Sequence, residues 1–262
     1  MARPPALFVS HGSPMMAIEP SPARDFLAGL GAELVRPRAI LMLSAHFDMR
    51  VLTVTGSAQP PTIHDFGGFP DILYRQQYPA PGAPALAQEI ATLLAGAGHD
   101  VQVDPDRGLD HGAWVPLMLL YPGADIPVVQ LSIDSRESAA WHVALGNALA
   151  PLRDSGVLIV GSGSMTHNLR AFFTEQPAID AQPPEWVTGF ADWIDARLME
   201  GDAAAVTDLM ARAPFAARNH PTPDHILPLH VAMGAGGVPL HARRLHRSTT
   251  YGVLAMDAYA FD

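Results

Sequence analysis

Short, almost unbroken apolar runs recur along the chain, and three of them lead to a histidine. Ala6 to Val9 runs into Ser10 and His11, Ala39 to Leu43 into Ser44, Ala45 and His46, and Val157 to Val160 into a glycine-rich loop that ends at His167. Apolar runs of this length without polar alternation predict strands covered on both faces, as in a parallel sheet. Pro127 to Ile133 predicts another buried strand, and Val51 to Thr55 and Val101 to Val103 predict shorter ones. Between the strands the period changes to helical. Ser21-Pro22 reads as an N-cap followed by proline at the first helical position, ahead of Phe26, Leu27, Leu30 and Leu34. Leu86, Ile90, Leu93 and Leu94 mark a second helix, and Trp141 to Leu152 a third. Glu185 to Arg212 reads as helical throughout, with Trp186, Phe190, Trp193, Ile194 and Leu198 as its buried stripe. Asp224 to His230 opens a short helix, and Val238 to Leu245 with Thr250 to Met256 reads as a pair of strands closing an edge. Strands alternating with helices, and no linker between two self-sufficient halves, predict one α/β domain over residues 1–262 with a central, mostly parallel sheet flanked by helices. Ligands of such sheets gather at the carboxyl ends of the strands, which places the active site where the three histidines emerge.

Residues 57–82 fit neither period. They are dense in proline, glycine and aromatics, and a long loop of that composition inside a compact domain reads as a wall or lid over the site. The net charge of −10 and the lack of any basic run longer than Arg243-Arg244 argue against a nucleic-acid partner. No stretch approaches the roughly 20 apolar residues of a membrane span, and the N-terminus carries no long apolar segment, so a cytoplasmic protein without a membrane partner is expected.

The chain has no cysteine, which removes disulfides, thiolate catalysis and sulfur ligation together. Any metal must be held by nitrogen and oxygen. His11 and His46 form the strongest pair among the twelve histidines, since each follows a buried strand and a serine, and neutral imidazoles suit Zn²⁺ or Fe²⁺. A third ligand can come from His220, His225 or His230. Spaced five apart, these diverge by about 140° on a helix, so one of them at most reaches a common centre. His225 is favoured, beside Asp224 at a helix start. His111, in Asp110-His111-Gly112, and His167 both read as loop residues after buried segments, where an acid or base is readily placed. Gly161-Ser-Gly-Ser-Met completes neither a hydrolase nucleophile elbow nor a dinucleotide fingerprint, and no P-loop or H-E-x-x-H is present.

These residues resemble a known family, the LigB-type extradiol ring-cleavage dioxygenases, and within it the 4,5-DOPA dioxygenase branch. The resemblance rests on Ser10-His-Gly-Ser-Pro14, Ser44-Ala-His46, His64-Asp-Phe-Gly-Gly-Phe-Pro70, Tyr78-Pro-Ala-Pro-Gly82, Arg107-Gly-Leu-Asp-His-Gly-Ala-Trp-Val-Pro116, Gly161-Ser-Gly-Ser-Met-Thr-His-Asn168 and His220-Pro-Thr-Pro-Asp-His225. It covers nearly the whole chain in order. It implies one divalent metal ion, Zn²⁺ or Fe²⁺, held by His11, His46 and His225. His167 would be the acid/base, also able to approach the metal, and His111 a substrate contact. The loop bearing His64, Phe66, Phe69 and Tyr74 would wall the ring of a DOPA-like catechol.

Partners on this reading are a small aromatic diol and O₂, with the protein a monomer or small homo-oligomer. The wider superfamily closes its metal site with a carboxylate, where this sequence offers His225. Three neutral histidines are also a zinc arrangement, and zinc has no redox chemistry. A zinc hydrolase using a metal-activated water is therefore the alternative enzyme, and a metal-storage protein the non-enzymatic one.

Overall fold

A computed structural model describes residues 3–262. Its strands are β1 (Ala6–Ser10), β2 (Ala39–Ser44), β3 (Leu52–Thr55), β4 (Val101–Asp104), β5 (Val128–Gln130), β6 (Val157–Gly163), β7 (Ala242–His246), β8 (Thr249–Thr250), β9 (Leu254–Ala255) and β10 (Ala258–Phe261). The central sheet has the order β5-β2-β6-β1-β10-β7. β5, β2, β6 and β1 run parallel, and β10 and β7 continue the sheet antiparallel. The expected α/β domain with a mostly parallel sheet is therefore the observed one, and every residue of β1, β2 and β6 is buried.

The three histidine-bearing runs are neighbours. β6 lies between β2 and β1, with Ser162 opposite Ser44 and Gly163 opposite Ser10, so their carboxyl ends share one rim. On one face, helix Leu227–Gly236 is buried along its whole length against β6 and against helix Ala139–Leu149. Missing side chains set that closeness. A Cβ on Gly161 would stand 2.2 Å from the Pro228 carbonyl oxygen, and one on Gly163 would stand 2.1 Å from that of His225. Gly161 and Gly163 are thus the floor on which the His225 segment rests, and Ser164 N–H donates to the His225 carbonyl at 2.8 Å.

Three expectations are corrected. The stretch 185–212 is three helices, Glu185–Met199, Ala203–Thr207 and Leu209–Arg212, because Gly201 takes φ +72° and Asp202 caps a new start by accepting from Ala205 N–H. The strand that pairs with β7 is β10, not Thr250–Met256, which is instead part of the small β8-β9 hairpin turning at Tyr251 and Gly252, both with positive φ. His111 is not a loop residue but the first residue of helix His111–Leu120, with Asp110 at the N-cap position. Among the described residues, no helix is long and apolar enough to cross a membrane.

Candidate metal centre

The rim assembles five imidazoles. His11 immediately follows β1, and its N–H still donates to the Gly163 carbonyl at 2.9 Å, so its position is that of the sheet. His46 follows β2 by two residues, with its N–H on Ser44 Oγ at 3.1 Å. His225 precedes helix Leu227–Gly236, His111 opens its own helix, and His167 ends the loop after β6, its N–H donating to the Asn219 carbonyl at 3.0 Å. Ring centroids lie 4.9 Å apart for His11 and His46, 5.5 Å for His11 and His225, and 4.9 Å for His46 and His225. His111 lies 3.9 Å from His46, and His167 stacks on His225 at 3.4 Å.

Hydrogen bonds determine which nitrogen of each ring is free. Ser162 Oγ donates to the Gly112 carbonyl, so its contact with His11 Nδ1 at 3.0 Å is an acceptance, which puts the proton on Nδ1 and a lone pair on Nε2. His225 Nδ1 donates to the Asp224 carboxylate, and its Nε2 is buried without a partner. His46 Nε2 faces His11 Nε2 at 3.0 Å. Two lone pairs at that distance repel unless a proton or cation lies between them. Neutral imidazoles whose far nitrogens are fixed by a hydroxyl and a carboxylate are the usual surroundings of a metal-binding histidine. The ligating atoms of His11, His46 and His111 fall within 4.8 Å of one another, as do those of His167, Asp224 and His225. Neither group unites His11, His46 and His225, but both are rich in imidazole nitrogen, the donor type that suits a divalent ion of nitrogen preference.

Burial and crowding keep three of these imidazoles neutral. Burial first, and then the neighbouring imidazoles, hold His11 and His46 well below the ordinary histidine range. Burial and His225 bring His167 down to about 3. Burial raises Asp224, but the hydrogen bond and charge of His225, together with a hydrogen bond from Thr222, outweigh this and hold its carboxyl below the ordinary carboxylate range. Asp65 behaves likewise through His111, which places its N–H at 2.8 Å and its Nδ1 at 3.0 Å from the carboxylate. Asp110 is fully buried and accepts from Ser44 Oγ at 2.6 Å and from Gln130 Nε2 at 2.9 Å, which fixes the hydroxyl that holds His46.

Above the imidazoles opens a cavity of about 410 Å³. It is lined by His11, His46, His111, His167 and His225, by residues 12–15 after β1, by residues 66–69 of the long loop, and by Leu169, Phe172, Phe173, Tyr251 and Leu254. Of the four loop residues expected to meet a substrate ring, Phe66 and Phe69 line the cavity. His64 does not line the cavity: its Nε2 pairs with the Gln76 carbonyl at 3.0 Å and its ring lies 5.8 Å from Trp114. Tyr74 backs Phe66 at 5.2 Å and lies outside the cavity lining. His220 and His230 are buried elsewhere, on the carbonyls of Met165 and Val206.

Sequence reasoning missed the orienting groups Ser162, Asp65, Asp110 and Asp224 and the wall from Leu169 to Phe173. The three carboxylates did leave a signal, since each is adjacent to a histidine in the chain: His64-Asp65, Asp110-His111 and Asp224-His225.

A family model described as the catalytic LigB subunit of aromatic ring-opening dioxygenase matches residues 5–260. The chain is 46% identical over 258 residues to a 4,5-DOPA dioxygenase extradiol of Beta vulgaris, covering 97% of this chain and 95% of that one. It is 45% identical over 236 residues to a protein of the same name from Escherichia coli (strain K12), covering 89% and 85%. A crystal structure of an uncharacterized Escherichia coli K12 protein superposes with a TM-score of 0.80 at 35% identity, covering 99% of this chain and 100% of that one.

Proposed function

The chain belongs to the LigB family of extradiol aromatic ring-opening dioxygenases, and from that premise we propose that it opens the ring of a DOPA-like catechol with O₂ at one divalent metal held by His11, His46 and His225. The observation that carries this is the convergence of His11 and His46 through Nε2, with the unpartnered Nε2 of His225 on a ring 5.5 and 4.9 Å from theirs. When bound, Fe²⁺ supplies both the Lewis acidity that favours ionisation of the diol and the electrons for O₂ chemistry, whereas Zn²⁺ supplies only the first.

The protein residues then have separate tasks. His167 lines the cavity with its ring stacked on His225, which places an imidazole nitrogen to take a proton from a diol hydroxyl and later return it. His111, with Nδ1 beside Asp65, leaves Nε2 to hydrogen-bond the second diol oxygen. Phe66 and Phe69 flank the ring and exclude water from the reacting face. His225 in place of a carboxylate makes the ligand set neutral, and Asp224 behind it restores part of the anionic character through the shared proton.

The test is oxygen uptake on a catechol by protein stripped of metal and reloaded with Fe²⁺ or Zn²⁺. The iron form is expected to consume O₂ in step with catechol and the zinc form to consume none. An iron form inert towards every catechol, with hydrolase activity in the zinc form, would overturn the reading.

A further inference from the structure

We infer that the preferred substrate is a catechol bearing an uncharged, apolar substituent rather than the charged amino-acid side chain of DOPA itself; this deepens the ring-opening reading above and rests on it. The cavity has room for more than a ring. An engineered cavity of about 150 Å³ is enough to hold benzene, whereas the cavity over the imidazoles measures about 410 Å³, so space remains for a substituent at least as large as the ring.

What surrounds that space is apolar. Besides the five histidines, the lining includes Phe66, Phe69, Leu169, Phe172 and Phe173, and its other polar side chains, those of Ser13 and Tyr251, carry uncharged hydroxyls. Leu169 and Phe173 remain 44% and 66% exposed, and no residue of their helix, Leu169–Glu175, is buried. A helix that turns apolar side chains into a cavity mouth while adding no buried residue to the core is suited to cover an apolar group that arrives there.

Charge points the same way. Among the described residues, no Arg, Lys, Asp or Glu lines the cavity, and Arg170, next to Leu169, is exposed and outside the lining. The chain contains no lysine at all. Asp65 and Asp224 stand behind the imidazoles and Glu19 accepts from the Tyr251 hydroxyl, all three outside the lining. A carboxylate on the substituent would lose its water against phenyl rings and find no cation, and an ammonium would find no carboxylate in the walls. A neutral chain loses nothing and gains burial.

The experiment compares four catechols on the iron-loaded protein: 4-butylcatechol, 3-(3,4-dihydroxyphenyl)propionate, dopamine and L-DOPA. Their affinities are also measured by calorimetry on the zinc-loaded protein, so that the order of preference is read without turnover. The expected result is kcat/KM about tenfold or more higher, and Kd correspondingly lower, for 4-butylcatechol than for each charged compound. A Phe173→Arg variant, altered at an exposed position of the mouth, should narrow the gap between 4-butylcatechol and the propionate by about tenfold. Equal or better use of any charged catechol overturns the inference while leaving ring opening intact, and so does a gap that the arginine does not change. If no catechol is bound or cleaved, the ring-opening reading falls and takes this inference with it.

Discussion

At the scale of single residues, the site separates groups that would hold a metal from groups that orient those holders, and substitutions can tell them apart. Ser162→Ala removes the acceptor for His11 Nδ1, and with it the constraint that leaves the Nε2 lone pair aimed at His46. Removal of such an orienting partner typically costs about 10- to 100-fold in metal affinity, and turnover per bound metal should change far less. His167→Ala should do the reverse: most metal retained, with kcat per iron down by about 10²- to 10⁴-fold, as for loss of a general acid/base. Metal titration beside kcat normalised to iron content checks both. A Ser162→Ala protein with unchanged affinity would show that the hydroxyl is only packing. His11 and His46 were legible in the sequence because a buried strand that ends in a histidine has few other uses. The hydroxyl behind His11 was not, because Ser162 lies inside an apolar strand and its partner Gly112 is fifty residues away, and the carboxylates showed only their adjacency to histidines, which does not tell that Asp65 meets His111.

At the scale of elements, the decisive contact is helix Leu227–Gly236 lying on β6. It brings His225, far along the chain, onto the rim that β1 and β2 supply. Gly163→Ala would put a methyl group 2.1 Å from the His225 carbonyl oxygen, so this backbone must move away from the sheet and take the imidazole with it. The expected loss is about 1–3 kcal/mol of stability from overpacking, with weakened metal binding. Gly29→Ala is the contrast, since nothing lies within 4 Å of a Cβ there and it sits inside helix Pro22–Glu33. That change should stabilise by about 0.4–1 kcal/mol and leave metal binding alone. Thermal melts of both variants, with and without metal, decide it. Periodicity showed that these strands and helices exist, but it could not show where Glu185–Arg212 breaks or which tail segment joins the sheet. Those depend on Gly201 adopting positive φ and on β10 fitting between β1 and β7, which are tertiary facts. The wall from Leu169 to Phe173 was equally illegible, because exposed apolar residues on a short helix have no period to betray them.

At the scale of the whole molecule, the neutral buried histidines make stability depend on pH in a definite direction. His230 is buried at 1% exposure, donates to the Val206 carbonyl and is lowered to about 4, chiefly by burial. His142, also buried, is lowered by the same cause. In the unfolded chain each titrates near 6.5, so for His230 the unfolded state binds more protons than the folded one between about 6.5 and 4. Stability contributed by these neutral imidazoles is therefore present above about pH 6.5 and lost as the pH falls below it. Asp257 opposes them, since burial raises it to about 7. Its folded form keeps a proton that the unfolded chain releases near pH 4, at about the ordinary carboxylate value, so its contribution is present at low pH and lost as the pH rises to about 7. For His230 a shift of this size corresponds to on the order of 3 kcal/mol. His230→Gln keeps a donor for Val206 and removes the titration, and Asp257→Asn removes the opposing one. Denaturant midpoints of the metal-free protein, followed from about pH 7 to about pH 4, should fall steeply in the native chain, less steeply in the His230→Gln protein, and more steeply in the Asp257→Asn protein. A slope unaffected by the His230 change would mean that this imidazole is protonated in the folded protein, and that its burial does not carry the cost assigned to it.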